Sequence, residues 1–297
     1  MRRFLFALLF LAGAAPLNAQ PHALARLENS PRHLEWTTLD AGAGRKLHAF
    51  VAWPERHADA LAVIVIHENR GLTDWVRSFA DQLAEAGFIA IAPDLLSGFD
   101  DEHARTRDFA SEDAAREAIS RLDPGRVTSD LEVLQKWAAK LPGANGRVAV
   151  MGFCWGGAQT FRFATDAKDL AGAFVFYGTA PTDNAALARI AVPVHGFYGA
   201  DDQRVNATIE ATRSAMLALE RPYEAVVYDG AGHGFMRAGD DPAAAPELRA
   251  ARDAAFARLG FTDIRYAYEP IGAAFFFART LRADANVLVA DFGGGTS

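Results

Sequence analysis

The feature that most constrains this chain is a glycine-framed turn around its single cysteine. Residues 152–157 read GFCWGG, after a strand-like run at residues 147–151 and before a helix-compatible run at residues 158–165. A strand, a sharp turn and a helix in this order form a G-x-S-x-G elbow, here with cysteine in place of serine. The elbow lifts the Cys154 sulfur above the edge of a sheet. The helix N-terminus behind the sulfur is partly positive, which favours thiolate over thiol.

The number of cysteines bears on what Cys154 does. There is one cysteine in 297 residues, so no disulfide within the chain can staple the fold. A lone cysteine is often a small buried hydrophobe. The glycines around Cys154 favour a nucleophile instead, provided that a base and an orienting acid lie close to it.

Regular apolar patterns predict a sheet around this elbow. Residues 62–66 and 89–92 are apolar runs typical of strands that are covered on both faces. Val76, Phe79 and Leu83 form a helical stripe between these two runs. This strand–helix–strand order predicts a parallel-sheet unit. Further strand-like segments are residues 34–53 as a hairpin, 173–177, 194–198 and 225–228.

Several predicted helices have an apolar stripe that can pack against a face of such a sheet. Ser129 is a candidate N-cap for a helix that ends near Leu141, and more helices are predicted over residues 207–219 and 246–259. Residues 95–124 are rich in charge, and we expect loop and short helix there, forming a wall of the active site. The whole pattern predicts an α/β fold, a mostly parallel sheet with helices on both faces.

Two loops in the second half of the chain supply a base and an acid. His233 follows a strand-like run in a glycine-rich loop, and Asp202 follows the preceding strand-like run. Parallel strands bring the loops at their C-terminal ends to one sheet edge, beside Cys154. The chain order nucleophile, acid, histidine is that of α/β-hydrolases. Asp201 is the alternative acid, and the alternative role for His233 is a histidine in a surface turn.

The loop after the first buried strand supplies the rest of the predicted site. In an elbow of this kind two backbone N–H groups hold the oxyanion, one of them from the residue after the nucleophile. We expect these donors to be Trp155 and Asn69. Glu68 then lies close to Cys154, where a carboxylate and a thiolate repel each other. The alternative for Glu68 is an ion pair with Arg70.

Residues 30–258 resemble the dienelactone hydrolase family. The resemblance rests on HENRG at residues 67–71, APDL at 92–95, GFCWGG at 152–157, the Asp202 loop and GHGF at 232–235. It implies an α/β-hydrolase fold and a triad of Cys154, His233 and Asp202 that hydrolyses a lactone or enol ester. No cofactor is implied, and no group of His, Cys and acidic residues has the spacing of a metal site.

The resemblance also implies roles for two charged residues. Glu68 matches a glutamate that contacts the resting thiol and helps to ionise it when substrate enters. Arg237, four residues after His233, matches an arginine that holds the substrate carboxylate. A second arginine of this kind would closely follow Leu95, but residues 96–98 here read LSG. The contact through that second arginine is therefore missing.

The first residues have the pattern of a secretory signal. Two arginines precede an apolar run at residues 4–11, and LNA at residues 17–19 is a candidate cleavage site. We predict a signal peptide over residues 1–19, a linker over residues 20–32, and a periplasmic or secreted hydrolase domain over residues 33–259. The apolar run is too short to span a bilayer, so no membrane insertion is expected after cleavage; an uncleaved anchor is the alternative.

The tail at residues 260–297 does not fit an α/β-hydrolase. Residues 286–297 read as a strand and a glycine-rich turn of the kind that cradles phosphate. The tail resembles part of the ATPase domain of the heat-shock-chaperone and actin-like family. That resemblance stops at the glycines, so no ATP binding is expected. A fusion or sequence-assembly junction near Ala257 is the favoured interpretation, and docking on the hydrolase is the alternative.

The leading hypothesis is an exported hydrolase of a small ester or lactone. Cys154 attacks the carbonyl, and His233, oriented by Asp202, protonates the leaving oxygen and then activates water. A broad carboxylesterase or thioesterase is the alternative among enzymes, and a chaperone-like, nucleotide-binding protein acting through its tail is the alternative outside them. The net charge of −7 gives no reason to expect a nucleic acid partner.

Overall fold

The computed structural model describes residues 20–56 and 58–259. The predicted signal peptide and the tail at residues 260–297 lie outside the described residues and stay predictions. Within the described ranges the chain forms eight strands and ten α-helices. The strands are β1 Leu34–Asp40, β2 Lys46–Ala52, β3 Ala60–Ile66, β4 Ile89–Pro93, β5 Ala144–Phe153, β6 Leu170–Phe176, β7 Val194–Gly199 and β8 Tyr223–Tyr228. The helices are α1 Pro21–Glu28, α2 Asp74–Glu85, α3 Glu112–Ser120, α4 Pro124–Ala138, α5 Trp155–Asp166, α6 Asn184–Leu187, α7 Gln203–Asn206, α8 Ile209–Ala218, α9 Phe235–Gly239 and α10 Pro246–Ala257.

All the described strands join in one sheet, in the order β1-β2-β4-β3-β5-β6-β7-β8. The predicted hairpin is β1 and β2, and the β1–β2 and β2–β4 pairs are antiparallel. Every pair from β4 through β3 to β8 is parallel. The predicted α/β fold with a mostly parallel sheet is confirmed. Because the C-terminal ends of parallel strands share one sheet edge, the loops that follow β3 to β8 meet there.

Apolar side chains cover both faces of the sheet. Ile64 and Ile66 of β3 face a core that α3, α4 and α5 complete. Val63 and Val65 face a second core, which α2, α9 and α10 complete. The two sets alternate because successive side chains of a strand point to opposite faces. Burial on both faces explains why β3 reads as a continuous apolar run in the sequence.

Helix α4 begins earlier than the sequence predicts. Asp123, not Ser129, is its N-cap, and the helix begins at Pro124. The Asp123 carboxylate accepts a hydrogen bond from the backbone N–H of Arg126, at 2.8 Å. Proline suits the first helical position because no hydrogen-bond donor is needed there. The predicted cap at Ser129 is therefore wrong, since that residue lies inside the helix.

Residues 20–32 form a docked helical segment rather than the predicted linker. Helix α1 packs against α2, and three side chains of this segment converge on the buried carboxylate of Asp81. Arg26 Nε lies 2.9 Å from Asp81 Oδ2, while Ser30 Oγ and Arg32 Nε lie 2.6 and 2.7 Å from Oδ1. Residues 20–32 are rich in polar side chains, which is typical of a linker, but three of those side chains are the partners of the buried Asp81 carboxylate.

The segment between β4 and α4 is fastened to the sheet through Asp94. This buried carboxylate accepts hydrogen bonds from Thr106 Oγ1 (2.7 Å), Thr106 N (2.8 Å) and Leu96 N (3.2 Å). Burial raises the pKa of Asp94 to about 6 in spite of these donors. The hydrogen bonds fix the single 3₁₀ turn Thr106–Asp108 ahead of α3. They therefore hold in place the part of the chain that leads into α3.

Neither a membrane-spanning helix nor a cluster of metal-ligating side chains occurs in the described residues. In that part of the chain no helix is both long enough and apolar enough to cross a membrane. The same residues contain no group of three or more His, Cys, Asp or Glu side chains placed to hold a metal ion.

Candidate active site

The cysteine turn is a tight elbow between β5 and α5. Cys154 has φ 55° and ψ −115°, a backbone conformation that residues other than glycine rarely adopt. Its N–H donates to Phe176 O at 3.0 Å, and its carbonyl accepts from Ala158 N at 3.1 Å. The surrounding structure thus holds a strained residue at the N-terminus of α5, as is common at active sites. The Cys154 side chain is partly exposed.

Two glycines let the elbow approach the neighbouring strands. A Cβ on Gly156 would lie 2.3 Å from His67 O and 2.5 Å from Ile66 O. A Cβ on Gly157 would lie 2.6 Å from Phe176 O. These atoms are backbone atoms at the ends of β3 and β6, so they cannot swing aside as a side chain would. The two glycines after Cys154 therefore permit α5 to start directly against the sheet.

Gly156→Ala is expected to lower the free energy of unfolding by about 1–3 kcal/mol, because the added methyl group pushes α5 away from β3. Urea unfolding monitored by circular dichroism measures this loss. Gly232→Ala is the matched control, since a Cβ there meets no atom within 4 Å. Equal stability of Gly156→Ala and the wild-type protein would contradict the close approach described here.

His233 and Asp202 meet at the same sheet edge as the cysteine. Asp202 follows β7 and is the N-cap of α7, and its Oδ1 accepts from Val205 N at 3.3 Å. His233 follows β8, and its Nδ1 lies 2.5 Å from Asp202 Oδ2. Asp202 is buried, whereas Asp201 is exposed. Of the two acids considered from the sequence, Asp202 is the one that contacts the histidine.

The other side of the His233 ring is directed to Cys154. The hydrogen bond with the Cys154 sulfur is the largest cause of a pKa of His233 that is raised to about 9. Burial lowers this pKa, and the hydrogen bond with Asp202 raises it further. The imidazole is therefore protonated at neutral pH. Because Asp202 occupies Nδ1, Nε2 is the nitrogen left to interact with the sulfur.

Glu68 is held by Arg237 and Tyr177. Arg237 Nε donates to Glu68 Oε2 at 2.8 Å, and Tyr177 Oη lies 3.5 Å from Oε1. Arg70 pairs instead with Glu112 of α3, at 3.0 Å. The alternative ion pair between Glu68 and Arg70 is therefore wrong, because the Arg70 side chain reaches α3 rather than its neighbour in the chain.

The position of Glu68 relieves the repulsion expected beside a thiolate. The hydrogen bonds of its carboxylate go to Arg237 and Tyr177, and among the described residues none goes to Cys154. The charge of Glu68 is thus paired with a guanidinium group. Arg237, for its part, does not line the cavity beside Cys154. The structure therefore pairs Glu68 with Arg237.

A cavity of about 280 Å³ opens beside Cys154. Trp155 and Asn69, whose N–H groups are the expected oxyanion donors, both line this cavity. Helix α3 contributes Ile119 and Ser120, so the charged segment between β4 and α4 forms a wall of the cavity, as the sequence suggests. The cavity brings together the sulfur, the start of α5 and the loop after β3.

His67 is a residue of this site that sequence analysis missed. Its ring is fully buried and stacks on Trp155, with centroids 5.5 Å apart and 16° between the planes. Its Nδ1 lies 2.7 Å from Glu68 O, and its Nε2 accepts from Leu95 N at 3.3 Å, so Nδ1 carries the proton. Burial lowers the pKa of His67 to about 4, which keeps the ring neutral at pH 7. His67 thereby fixes the loop of Asn69; its place directly after a buried strand was the available signal.

Tyr177 is the second residue that sequence analysis missed. It follows β6 with φ 41°, it is buried, and its ring meets that of His233 edge-on at 5.1 Å. Burial and then the nearby Glu68 and Cys154 raise the pKa of Tyr177 well above 10. The phenol therefore keeps its proton, and its O–H donates a hydrogen bond to Glu68. No sequence pattern marks Tyr177, because an aromatic residue at the end of a strand is usually part of the core.

Comparisons with known proteins identify the family of this chain. The model of the dienelactone hydrolase family matches residues 47–260. A protein from Yersinia pestis with the provisional name carboxymethylenebutenolidase is 29% identical over 226 residues, which cover 71% of this chain and 82% of that protein. A protein of the same provisional name from Saccharolobus solfataricus is 30% identical over 228 residues, which cover 65% of this chain and 85% of that protein.

A solved structure shows the same similarity. The crystal structure of a protein from Klebsiella pneumoniae, provisionally named a dienelactone hydrolase, has a TM-score of 0.65 at 25% identity. The superposition covers 76% of this chain and 96% of that chain. The family match ends at residue 260, where the tail begins, so it gives the ATPase resemblance of the tail no support.

Proposed function

Because the chain belongs to the dienelactone hydrolase family and is a hydrolase of carboxylic esters or lactones, we propose that it cleaves its substrate by covalent catalysis at Cys154. The observation that carries this proposal is the contact of His233 Nδ1 with Asp202 Oδ2 at 2.5 Å, on the histidine whose pKa Cys154 raises. A nucleophile, a base and an acid that orients the base are the parts required for acyl transfer. A cavity of about 280 Å³ suits a small substrate.

In the first step the Cys154 thiolate attacks the carbonyl carbon of the substrate. The oxyanion that forms accepts hydrogen bonds from the N–H groups of Trp155 and Asn69, worth about 3 kcal/mol per donor. The protonated His233 then donates its Nε2 proton to the leaving oxygen as the carbon–oxygen bond breaks. The products are a thioester on Cys154 and an alcohol. With a lactone, the alcohol stays attached to the acyl group.

In the second step water hydrolyses the thioester. Once the sulfur is acylated it carries no negative charge, so the largest cause of the raised pKa of His233 is gone. The imidazole is then neutral and accepts a proton from water, whose oxygen attacks the thioester carbonyl. The carbon–sulfur bond breaks, the acid leaves, and the thiolate and the protonated His233 are restored. One histidine therefore serves as acid in the first step and as base in the second.

Hydrolysis of 4-nitrophenyl acetate and of a five-membered enol lactone tests this proposal. Acid quench during turnover should leave one acyl group on the peptide that contains Cys154, as measured by mass spectrometry. Iodoacetamide should abolish hydrolysis, since the chain has no second cysteine. Faster cleavage of a matched thioester than of either substrate would favour the thioesterase alternative. Hydrolysis that survives complete alkylation would refute the covalent mechanism.

The raised pKa of His233 predicts how activity depends on pH. We expect kcat/KM to fall on the alkaline side with a midpoint near pH 9, where His233 loses the proton needed by the leaving oxygen. The same protonation stabilises the fold fully below about pH 6.5, and this stabilisation is lost as pH rises through 9. In Asp202→Asn the midpoint should move to lower pH, because Asp202 supports the protonated ring. A midpoint that Asp202→Asn leaves unchanged would contradict this coupling.

Export of the enzyme is a separate proposal. Its support is the basic start, the short apolar run and the candidate cleavage site within residues 1–19. Expression in a Gram-negative host followed by intact-mass measurement should give a chain that begins at Gln20, in the periplasmic fraction or in the medium. An uncleaved chain in the cytoplasmic fraction would count against export.

A further inference from the structure

A second cavity, of about 640 Å³, lies between two pairs of helices. Residues of α1 and α2 line one side of it, and residues of α9, α10 and the turn between them line the other. Cavities of about 300–1,000 Å³ are typical sites for small organic molecules. No described residue lines both this cavity and the one beside Cys154. We call it the helical cavity, and it is a separate candidate site for a ligand.

Three residues that line the helical cavity hold a buried polar atom with no hydrogen-bond partner among the described residues. These atoms are Ser78 Oγ, His22 Nε2 and Arg252 Nε. Ser78 is only 1% exposed. A buried polar group that stays unpaired is costly, so each such group in a native protein calls for a partner. The three atoms therefore point to a molecule with hydrogen-bonding groups in the helical cavity.

The cavity beside Cys154 differs in this respect. None of the residues that line it has a buried polar side-chain atom left without a partner, as judged over the part of the chain that the structure describes. The helical cavity also offers apolar contact, from the buried Phe256 and from Pro242 at its rim. It thus combines apolar walls with a few polar atoms, the usual composition of a site for a small molecule.

The charges around the helical cavity balance. Three of its residues are arginines and three are aspartates. Arg252 pairs with Asp240 and with Asp253, each at 2.8 Å. Arg26 pairs with Asp81 at 2.9 Å, and Asp81 lies outside the lining. An incoming ion would therefore meet no excess of the opposite charge, while it would still lose its hydration.

The two remaining charged residues lie at the rim of the helical cavity. Arg249 and Asp241 are both exposed, and neither makes an ion pair with a residue in the described ranges. Arg249 Nη2 donates to the backbone oxygen of Pro242 at 2.8 Å, and Asp241 is the residue before Pro242. An ion of either sign that enters past this rim meets one favourable and one unfavourable charge. The rim therefore favours neither an anion nor a cation.

We propose that the helical cavity binds an uncharged organic molecule that has an apolar body and a carbonyl oxygen. The apolar body packs against Phe256 and Pro242. The carbonyl oxygen accepts hydrogen bonds from the Ser78 hydroxyl and from Arg252 Nε–H, a group that can only donate. This second site is independent of the proposed hydrolysis, since no member of the proposed triad lines the helical cavity.

Three compounds with one carbon skeleton test the chemical class of the ligand. They are 4-phenylbutanamide, which is uncharged, 4-phenylbutanoate, an anion, and 4-phenylbutylammonium, a cation. Each is titrated by calorimetry into the full chain, before and after Cys154 is blocked with iodoacetamide. We expect the Kd of the amide to be at least about tenfold lower than that of either ion, in both forms of the protein. Tighter binding of an ion, or failure of all three to bind, would overturn the proposal.

Ser78→Ala tests whether the amide binds in the helical cavity. This change should raise the Kd of the amide about three- to tenfold, because one hydrogen bond is lost. The urea midpoint should not fall, since the hydroxyl has no protein partner to lose within residues 20–56 and 58–259. Ser129→Ala is the matched control, at an exposed position of α4 outside the lining, and it should leave the Kd unchanged. An unchanged Kd in Ser78→Ala, or amide binding that blocking of Cys154 abolishes, would overturn the site.

Discussion

Replacing Cys154 by alanine is expected to lower kcat for 4-nitrophenyl acetate by at least about a thousandfold. In the proposed mechanism the sulfur forms the covalent bond, and the sequence has no second cysteine to take its place. Alanine fits the elbow, since it retains the Cβ that the strained backbone at Cys154 already accommodates. Stopped-flow and steady-state assays with the purified variant measure the loss, and circular dichroism verifies the fold. A variant that folds and retains wild-type kcat would show that the nucleophile lies elsewhere.

The neighbouring acids supply a matched pair of controls for this experiment. Asp202→Asn should lower kcat by more than about a hundredfold, because the amide no longer stabilises the protonated ring of His233. Asp201→Asn changes the same kind of side chain one residue away, at an exposed position that lacks the contact to His233. It should keep kcat within about twofold of the wild-type value, as surface substitutions do. Equal losses in both variants would contradict the assignment of Asp202.

Asp81→Ala is expected to lower the free energy of unfolding by about 3–5 kcal/mol, the cost of removing one partner of a buried ion pair. The variant leaves Arg26 and Arg32 without the carboxylate that both of them contact. Burial raises the pKa of Asp81, but the hydrogen bonds from Arg32 and Ser30 offset this and the pKa is lowered overall. Because the folded pKa is lowered, this stability is fully present above the unfolded value of 3.8 and is lost as pH falls from there through the folded pKa.

Two measurements test the role of Asp81. Urea unfolding at pH 7 should show the full loss, and the difference from the wild-type protein should shrink as the pH falls below 4. Trypsin should cut after Arg26 or Arg32 sooner in the variant, since the helix α1 segment is released. Asp74→Ala is the control: it removes a carboxylate of the same helix whose ion pair with Arg77 is partly exposed, and it should cost less than about 1 kcal/mol. A loss no larger than that of the control would show that Asp81 does not anchor the segment.

The parts of the fold that could be predicted from the sequence are those set by local patterns. The apolar run of β3 and the glycines around Cys154 are each a pattern of a few consecutive residues. Each pattern therefore determines its own local geometry. The chain order of Cys154, Asp202 and His233 then places all three loops at one edge, because parallel strands align their C-terminal ends. The proximity of these three loops therefore follows from the fold class alone, without knowledge of any side-chain conformation.

Two of the predictions that failed concern charged side chains whose partners are distant in the chain. Glu68 finds Arg237, 169 residues away, rather than the adjacent Arg70. The segment at residues 20–32 finds Asp81, about fifty residues away in sequence, and so is not a linker. The sequence shows that a residue is charged. The tertiary fold decides whether that charged group is solvated by water or paired with a buried counter-ion. His67 was missed for a similar reason, since Leu95, which donates to its Nε2, and Trp155, on which its ring stacks, lie after β4 and at the start of α5.

The sheet positions Cys154, Asp202 and His233, whereas α3 forms a wall of the cavity beside Cys154, and this separation has an evolutionary consequence. Cys154, Asp202 and His233 stand at the ends of β5, β7 and β8, which are paired with the core strands of the sheet. The α3 wall of the cavity comes from the segment between β4 and α4, which contributes no strand to the sheet. Mutations in this wall can therefore change which acyl groups the cavity accepts. They would leave the positions of Cys154, Asp202 and His233 unchanged. The α3 wall is therefore the part of the cavity that the sheet constrains least.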